Sequence, residues 1–224
     1  MGGKAVCLVS GGMDSAVTVA IAKAEGREIY ALTFDYGQRH RREVECAKSI
    51  VRHYKAKEHR TLKIDLALFG GSALTDRRMK VPKGRQKADG IPVTYVPARN
   101  TIFLSYALAY AEVAGADHIY IGANHIDYSG YPDCRPEYFA AFQRMADLAT
   151  KRSVEGMPVK IMTPIIGLNK AGIVRKGIEL DVPFELTWSC YEGARKACGR
   201  CDSCLLRLKG FSQAGAEDPV EYEV

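Results

Sequence analysis

The chain lacks any stretch of roughly 18 or more apolar residues, so no helix is expected to cross a membrane. Ahead of Gly11-Gly12 stand one lysine and the apolar run Ala5-Val6-Cys7-Leu8-Val9, too short for a secretory signal. The expected setting is therefore cytoplasmic, where thiols stay reduced. The seven cysteines are then metal ligands or core residues, not a disulfide framework. Neither sign of charge is in large excess: the net charge of +6 suits a nucleotide or tRNA partner and a plain soluble enzyme equally. No lysine follows Gly11-Gly12, which excludes a Walker A loop, and GxGxxG is missing too. What is present is a 47% hydrophobic fraction over 224 residues, ample for one core. The expected division is an α/β domain over 1–185 and a small C-terminal segment over 186–224.

The chain is organised around Ser10-Gly11-Gly12-Met13-Asp14-Ser15. The apolar run leads into it and the periodic stretch Ala16 to Ala24 leads out, which reads as strand, tight loop, helix. Two glycines let the backbone turn sharply and approach a ligand. The loop amides and the helix N-terminus then make a nest for phosphate or pyrophosphate. Ser10 and Ser15 offer hydroxyls to the same oxygens. Asp14 either caps the helix or holds a magnesium ion brought by the nucleotide, because a carboxylate repels a bare phosphate.

Further apolar strands are predicted over Glu28–Phe34, Thr61–Leu66, His118–Ala123 and Lys160–Ile165. Strand–helix alternation predicts an open, Rossmann-like parallel sheet. Ligands gather at the carboxyl ends of such strands, so Phe34 and Asp35 are candidates to meet adenosine, although Asp35 can equally start a turn. The stretch from Gly70 to Gly90 carries Arg77, Arg78, Lys80, Lys83, Arg85 and Lys87; it is either a surface loop or a lid over an anion. Arg99 and Asn100 open a helix apolar almost all round, Ile102 to Val113, which belongs in a core or against a second subunit. The loop Asp127 to Pro136 packs donors, acceptors and two aromatic faces together, a composition that can hold a flat heterocycle. Asn169 caps a further helix, from which Lys170 can reach a phosphate or simply be solvated. Cys190-x7-Cys198-x2-Cys201-x2-Cys204 has the spacing of a closed, tetrahedral, structural zinc site.

The loop SGGMDS resembles the SGGxDS loop of the PP-loop ATP pyrophosphatases. With FDYGQRH, VPARN, DYSGYPDCRPE and the terminal cysteines in this order, the chain from Val6 to about Leu208 resembles the 7-cyano-7-deazaguanine (preQ0) synthase family of queuosine biosynthesis. The resemblance implies an ATP-dependent ligase, usually a homodimer, that joins ammonia to 7-carboxy-7-deazaguanine and leaves a nitrile. It implies ATP, Mg²⁺ and one structural Zn²⁺ as cofactors, and no stable nucleic-acid or membrane partner. It places Leu8, Val9, Ser10, Gly11, Gly12, Met13, Asp14, Ser15, Ala16, Val17 and Thr18 along the ATP phosphates. Ser10, Asp14, Ser15 and Lys170 are the catalytic candidates. Arg99, Asn100, Asp127, Tyr131, Asp133 and Arg135 are the substrate readers: carboxylates for the N–H edge of a guanine-like ring, cations for its carbonyl and carboxylate. The same ATP loop also serves tRNA-modifying enzymes, which more often carry an extra RNA-binding domain or a catalytic cysteine pair. A zinc-ribbon binding module would leave the loop and the strand–helix alternation unexplained.

Overall fold

The apolar run after Lys4 becomes the first and central strand because both of its faces are covered. In the computed structural model, which describes residues 2–39, 42–83, 90–126, 130–192 and 195–223, this strand, β1, spans Lys4–Leu8. Beside it run β2 (Glu28–Asp35), β3 (Glu58–Lys63), β4 (His118–Tyr120) and β5 (Lys160–Met162). All neighbours pair in parallel, in the order β3-β2-β1-β4-β5. The helices are α1 (Met13–Ala24), α2 (Arg42–His53), α3 (Arg99–Ala114), α4 (Pro136–Ala149), the short α5 (Lys151–Val154), α6 (Lys170–Glu179) and α7 (Asp202–Ala214).

The period of two along β1 divides the core. Ala5 and Cys7 pack with α1, α2, α6 and α7 through Val17, Ile50, Ile173 and Phe211. Val6 and Leu8 pack on the other side with α3 and α4 through Leu104, Leu108 and Phe142. The expected open parallel sheet with helices on both faces is therefore present. Its strand order turns between β1 and β4, with α1 leaving to one face and α4 to the other. Such a switch point opens a crevice at the strands' carboxyl ends. Among the described residues no helix is long and apolar enough to cross a membrane.

Several boundaries differ from the sequence expectation. The edge strand β3 starts at Glu58 because its polar Glu58-His59-Arg60 hides the alternation. Strand β4 ends at Tyr120; beyond it only single bonds continue, Ile121 N–H to Met162 O at 3.0 Å and His125 N–H to Ile166 O at 3.1 Å. Helix α3 buries Leu104, Ala107, Leu108 and Ala111, while Tyr106 and Val113 face outward from the single chain. Helix α7 has no counterpart in the sequence reading. Gly210 lets it lie close to α6, since a Cβ there would sit 2.8 Å from the Lys170 Cβ.

The C-terminal segment is fastened to this frame by Arg207, which is 2% exposed. Its guanidinium makes a fork to Asp218 at 2.8 and 2.9 Å and donates to Thr187 Oγ1 at 2.6 Å and Phe184 O at 3.2 Å. Tyr222 donates to the same Asp218 at 2.6 Å. A buried ion pair satisfied this fully fixes geometry more than it adds net stability, whereas deleting one partner strands the other.

Candidate active site and metal centre

Where β1 ends, the chain makes the expected glycine turn. Gly11 has φ +87°, and a Cβ on it would lie 2.1 Å from the Glu43 carbonyl oxygen. Gly12 is the N-cap of α1, and no side chain caps that helix end. The two serines knit the loop: Ser15 Oγ donates to Gly12 O at 2.9 Å, and Ser10 Oγ donates to Ser15 Oγ at 3.1 Å. The Ser10 amide donates to Ser15 Oγ at 3.2 Å.

Asp14 is thus not a cap, which corrects one of its two sequence readings. It lies in the first turn of α1 and pairs with Lys170 Nζ at 2.5 Å. Lys170 starts α6 after the Asn169 cap, whose Oδ1 accepts from Gly172 N–H at 2.8 Å, and it is only 7% exposed. Lys170 is therefore not a solvated helix lysine. The other Asp14 oxygen, Oδ1, is buried with no partner among the described residues.

A cleft of about 250 Å³ opens over this loop, at the carboxyl ends of β1, β2 and β4. Leu8, Val9, Ser10, Gly12, Met13, Asp14 and Ser15 line it, as do Phe34 and Lys170. Five residues of the expected nucleotide site lie outside the cleft lining. Ala16 and Val17 are buried in the core beneath the loop, and Thr18 turns its hydroxyl to Asp14 O at 2.8 Å. Asp35 is outside the cleft lining; it ends β2 opposite Lys63. Gly11 turns its carbonyl away, to the N–H of Trp188 at 2.8 Å.

The predicted substrate residues divide in the same way. Arg99, Asn100 and Tyr131 line the cleft. Arg99 lies 3.4 Å from the Tyr36 hydroxyl, and Tyr131 shares a 2.7 Å hydrogen bond with Thr94. Asp133 is occupied otherwise: its Oδ2 accepts the Asn100 backbone N–H at 3.0 Å, and its carbonyl accepts Asn100 Nδ2 at 2.9 Å. It satisfies an N–H at the N-terminus of α3 and lies outside the cleft lining. Arg135 is engaged locally as well. It lies outside the cleft lining, pairs with Glu137 at 3.4 Å and donates to Pro132 O at 3.1 Å. Asp127 and Tyr128 lie outside the described residues.

Other lining residues were not singled out by the sequence. Phe103 stacks on Phe34 with centroids 4.0 Å apart and rings 3° from parallel. Gln38 accepts the Tyr36 N–H at 2.7 Å. Arg39 clamps the start of the basic stretch, donating to Ala73 O at 2.6 Å and Asp76 O at 3.0 Å, and also to Met79 O. Burial pushes the half-buried Glu43 carboxyl up to about 7, against the opposing pull of Arg99. Burial likewise pushes the Cys134 thiol, also in the cleft, up to about 11. Of the basic stretch, Arg77, Arg78, Lys80 and Lys83 stay outside the cleft lining, with Arg78 paired to Asp76 and Lys83 to Glu192, while Arg85 and Lys87 lie outside the described residues.

Cys190, Cys198, Cys201 and Cys204 converge as their spacing predicts. All four are buried, with their sulfur atoms within 4.8 Å of one another. A Zn–S bond of about 2.3 Å sets sulfurs roughly 3.8 Å apart on a tetrahedron, so the group fits a four-thiolate metal. Backbone N–H groups of Glu192 and Cys198 point at Cys190 Sγ at 3.3 and 3.4 Å, and that of Cys201 at Cys198 Sγ at 3.3 Å. Hydrogen bonds from Cys201 and Cys204 hold the Cys190 thiol well below its ordinary pKa. Arg195, Lys196 and Arg200 are exposed, so the amides nearest the sulfurs, not these side chains, offset thiolate charge at close range. Cys7 is in the core, as expected.

Comparison with known proteins matches these parts. A model of the family described as queuosine biosynthesis protein QueC matches residues 4–215. The 7-cyano-7-deazaguanine synthase of Syntrophus aciditrophicus is 60% identical over 226 residues, covering 98% of this chain and 97% of the relative. That of Anaeromyxobacter dehalogenans is 56% identical over 223 residues, covering 98% and 95%. Among solved structures, a 4-thiouridine synthetase–RNA complex with bound ATP is similar with a TM-score of 0.53 and 22% identity. That likeness covers 95% of this chain and 50% of the synthetase, and it bears on the fold alone.

Proposed function

The chain belongs to the queuosine biosynthesis protein QueC family, and on that premise we propose that it is an ATP-dependent carbon–nitrogen ligase converting 7-carboxy-7-deazaguanine and ammonia to 7-cyano-7-deazaguanine. The observation that carries the reading is the Asp14–Lys170 pair beside the glycine loop, in a cleft at the sheet's switch point.

A carboxylate is a poor electrophile. Attack of its oxygen on the α-phosphate of ATP gives an acyl adenylate and pyrophosphate. Ammonia adds to the carbonyl carbon, the C–O bond to AMP breaks, and a proton leaves, giving the amide. The amide oxygen then attacks a second ATP; loss of AMP and two protons gives the C≡N bond. Both rounds activate an oxygen on the same carbon, so one site serves both. This chain contributes positioning and charge. The loop amides and the N-terminus of α1 hold phosphate oxygens, and Lys170 offsets charge gathering on them. Phe34 and Phe103 present an aromatic wall to a flat ring. Arg99 supplies the cation for the substrate carboxylate, and Asn100 is fixed beside it by Asp133. Magnesium carried by ATP would find Asp14 Oδ1, and would neutralise phosphate charge there. Zinc on the four cysteines would supply folding energy and leave no open position for chemistry.

Incubation with 7-carboxy-7-deazaguanine, ATP and ammonium, followed by mass spectrometry, tests the proposal. The expected products are the nitrile with two AMP and two pyrophosphate. AMP formation that requires added tRNA, with the deazaguanine unchanged, would reject it in favour of a tRNA-modifying activity.

A further inference from the structure

Trp188 joins the cysteine cluster to the phosphate loop. Its backbone N–H donates to the Gly11 carbonyl at 2.8 Å, and its indole N–H donates to the Cys190 carbonyl at 3.0 Å. The side chain is fully buried, and the Arg42 guanidinium lies over its ring, 3.7 Å from the centroid. Arg42 reaches on to the Arg195 carbonyl at 2.7 Å, in the segment between Cys190 and Cys198. Gly11 also lies close against the Glu43 carbonyl, which a Cβ on it would meet at 2.1 Å. The loop is therefore gripped between the first turn of α2 and a residue two positions before a metal ligand.

The cluster also builds part of the cleft. Ser189 and Tyr191 flank Cys190, Ser203 precedes Cys204, and all three line the cavity. A metal ion bound by the four thiolates would hold these sulfurs together. Where the sulfurs go, these lining residues and the Trp188 hydrogen bond go with them.

We propose that the four-cysteine centre is a positioning device for the nucleotide site, with Trp188 as the positioning residue that transmits it to Gly11. This rests on the ATP-site reading above. A loop released from Trp188 must be reordered each time nucleotide binds, and that ordering cost weakens binding without removing any direct contact. Coupling between two such sites is commonly worth about 5- to 150-fold in affinity, and about tenfold is expected here.

Trp188 is the single tryptophan of the chain, so its emission reports the junction without a label. The full-length, metal-loaded protein and the same protein after chelation are titrated calorimetrically with α,β-methylene-ATP, at a temperature where circular dichroism shows the sheet intact. Chelation is expected to shift Trp188 emission to the red and to raise the Kd about tenfold, with both changes reversed by added zinc. Trp188→Phe, which loses the indole N–H, is expected to keep its metal and raise the Kd several-fold. The variant decides the matter alone if the chelated protein unfolds. A Kd within twofold of wild type in the variant, or in folded chelated protein, overturns the proposal. Absence of nucleotide binding to the metal-loaded wild type instead refutes the ATP-site reading itself, and the proposal falls with it.

Discussion

Asp14→Asn and Lys170→Met are each expected to lower kcat by about two to three orders of magnitude, the usual cost of deleting one preorganised charge-stabilising group. The pair spans 156 residues of sequence yet closes to 2.5 Å beside the phosphate loop. ATP affinity should fall less than kcat, because the loop amides and the α1 N-terminus still bind phosphate. The two substitutions differ in what they do to the fold. Lys170→Met leaves a partly buried carboxylate without its cation; a fully buried case costs about 3–5 kcal/mol, and Asp14, with a fifth of its side chain exposed, costs less. Asp14→Asn keeps the shape and one oxygen for Lys170, so it should remain folded and is the cleaner test. Steady-state kinetics with a parallel thermal melt reads both effects. An Asp14→Asn enzyme with wild-type kcat would show that the carboxylate has no part in the chemistry.

The second large effect concerns stability. Cys201→Ser is expected to abolish metal binding, from one equivalent per chain to nearly none. It should also lower Tm by about 10 °C or more. The binding free energy of a structural zinc is largely folding free energy, and several kcal/mol is a conservative share of it. For a chain of this size about 1 kcal/mol corresponds to roughly 2–4 °C. The loss falls first on the segment the cluster organises: Trp188, the cleft wall, and the tail that pairs through Ala197 and Tyr222. The core around β1 has its own packing on both faces and should melt afterwards. Metal analysis and calorimetric scans check this. An unchanged Tm, or less than half an equivalent of metal in fresh wild type, contradicts a structural metal.

Much of the architecture is legible in the sequence because its determinants are local. The glycine turn, the apolar runs of β1 and β2, the Asn169 cap and the cysteine spacing each sit within a few residues, where period, turn chemistry and ligand spacing apply directly. What stays hidden depends on residues brought together from afar. Nothing near Lys170 marks it as the partner of Asp14, and nothing near Trp188 marks it as the partner of Gly11. Asp133 hides its anchoring contact for the same reason. Its composition suits reading a guanine edge, but Asn100, far away in sequence, leaves the first turn of α3 with an N–H to satisfy, and Asp133 is what reaches it. Glu58 to Arg60 misled differently: an edge strand tolerates polar residues on both sides and loses the alternation that would identify it.

Two rounds of adenylation on one carbon, in the cleft over Ser10–Ser15, are the core of the proposed reaction. The most direct test supplies 7-carboxy-7-deazaguanine with ¹⁸O in both carboxylate positions, together with ATP and ammonium, and follows the label by mass spectrometry. One ¹⁸O is expected in each of the two AMP molecules formed per nitrile, and none in pyrophosphate. Label in inorganic phosphate alongside ADP would mean attack at the γ-phosphate, and would contradict the reading of the glycine loop as a pyrophosphatase site.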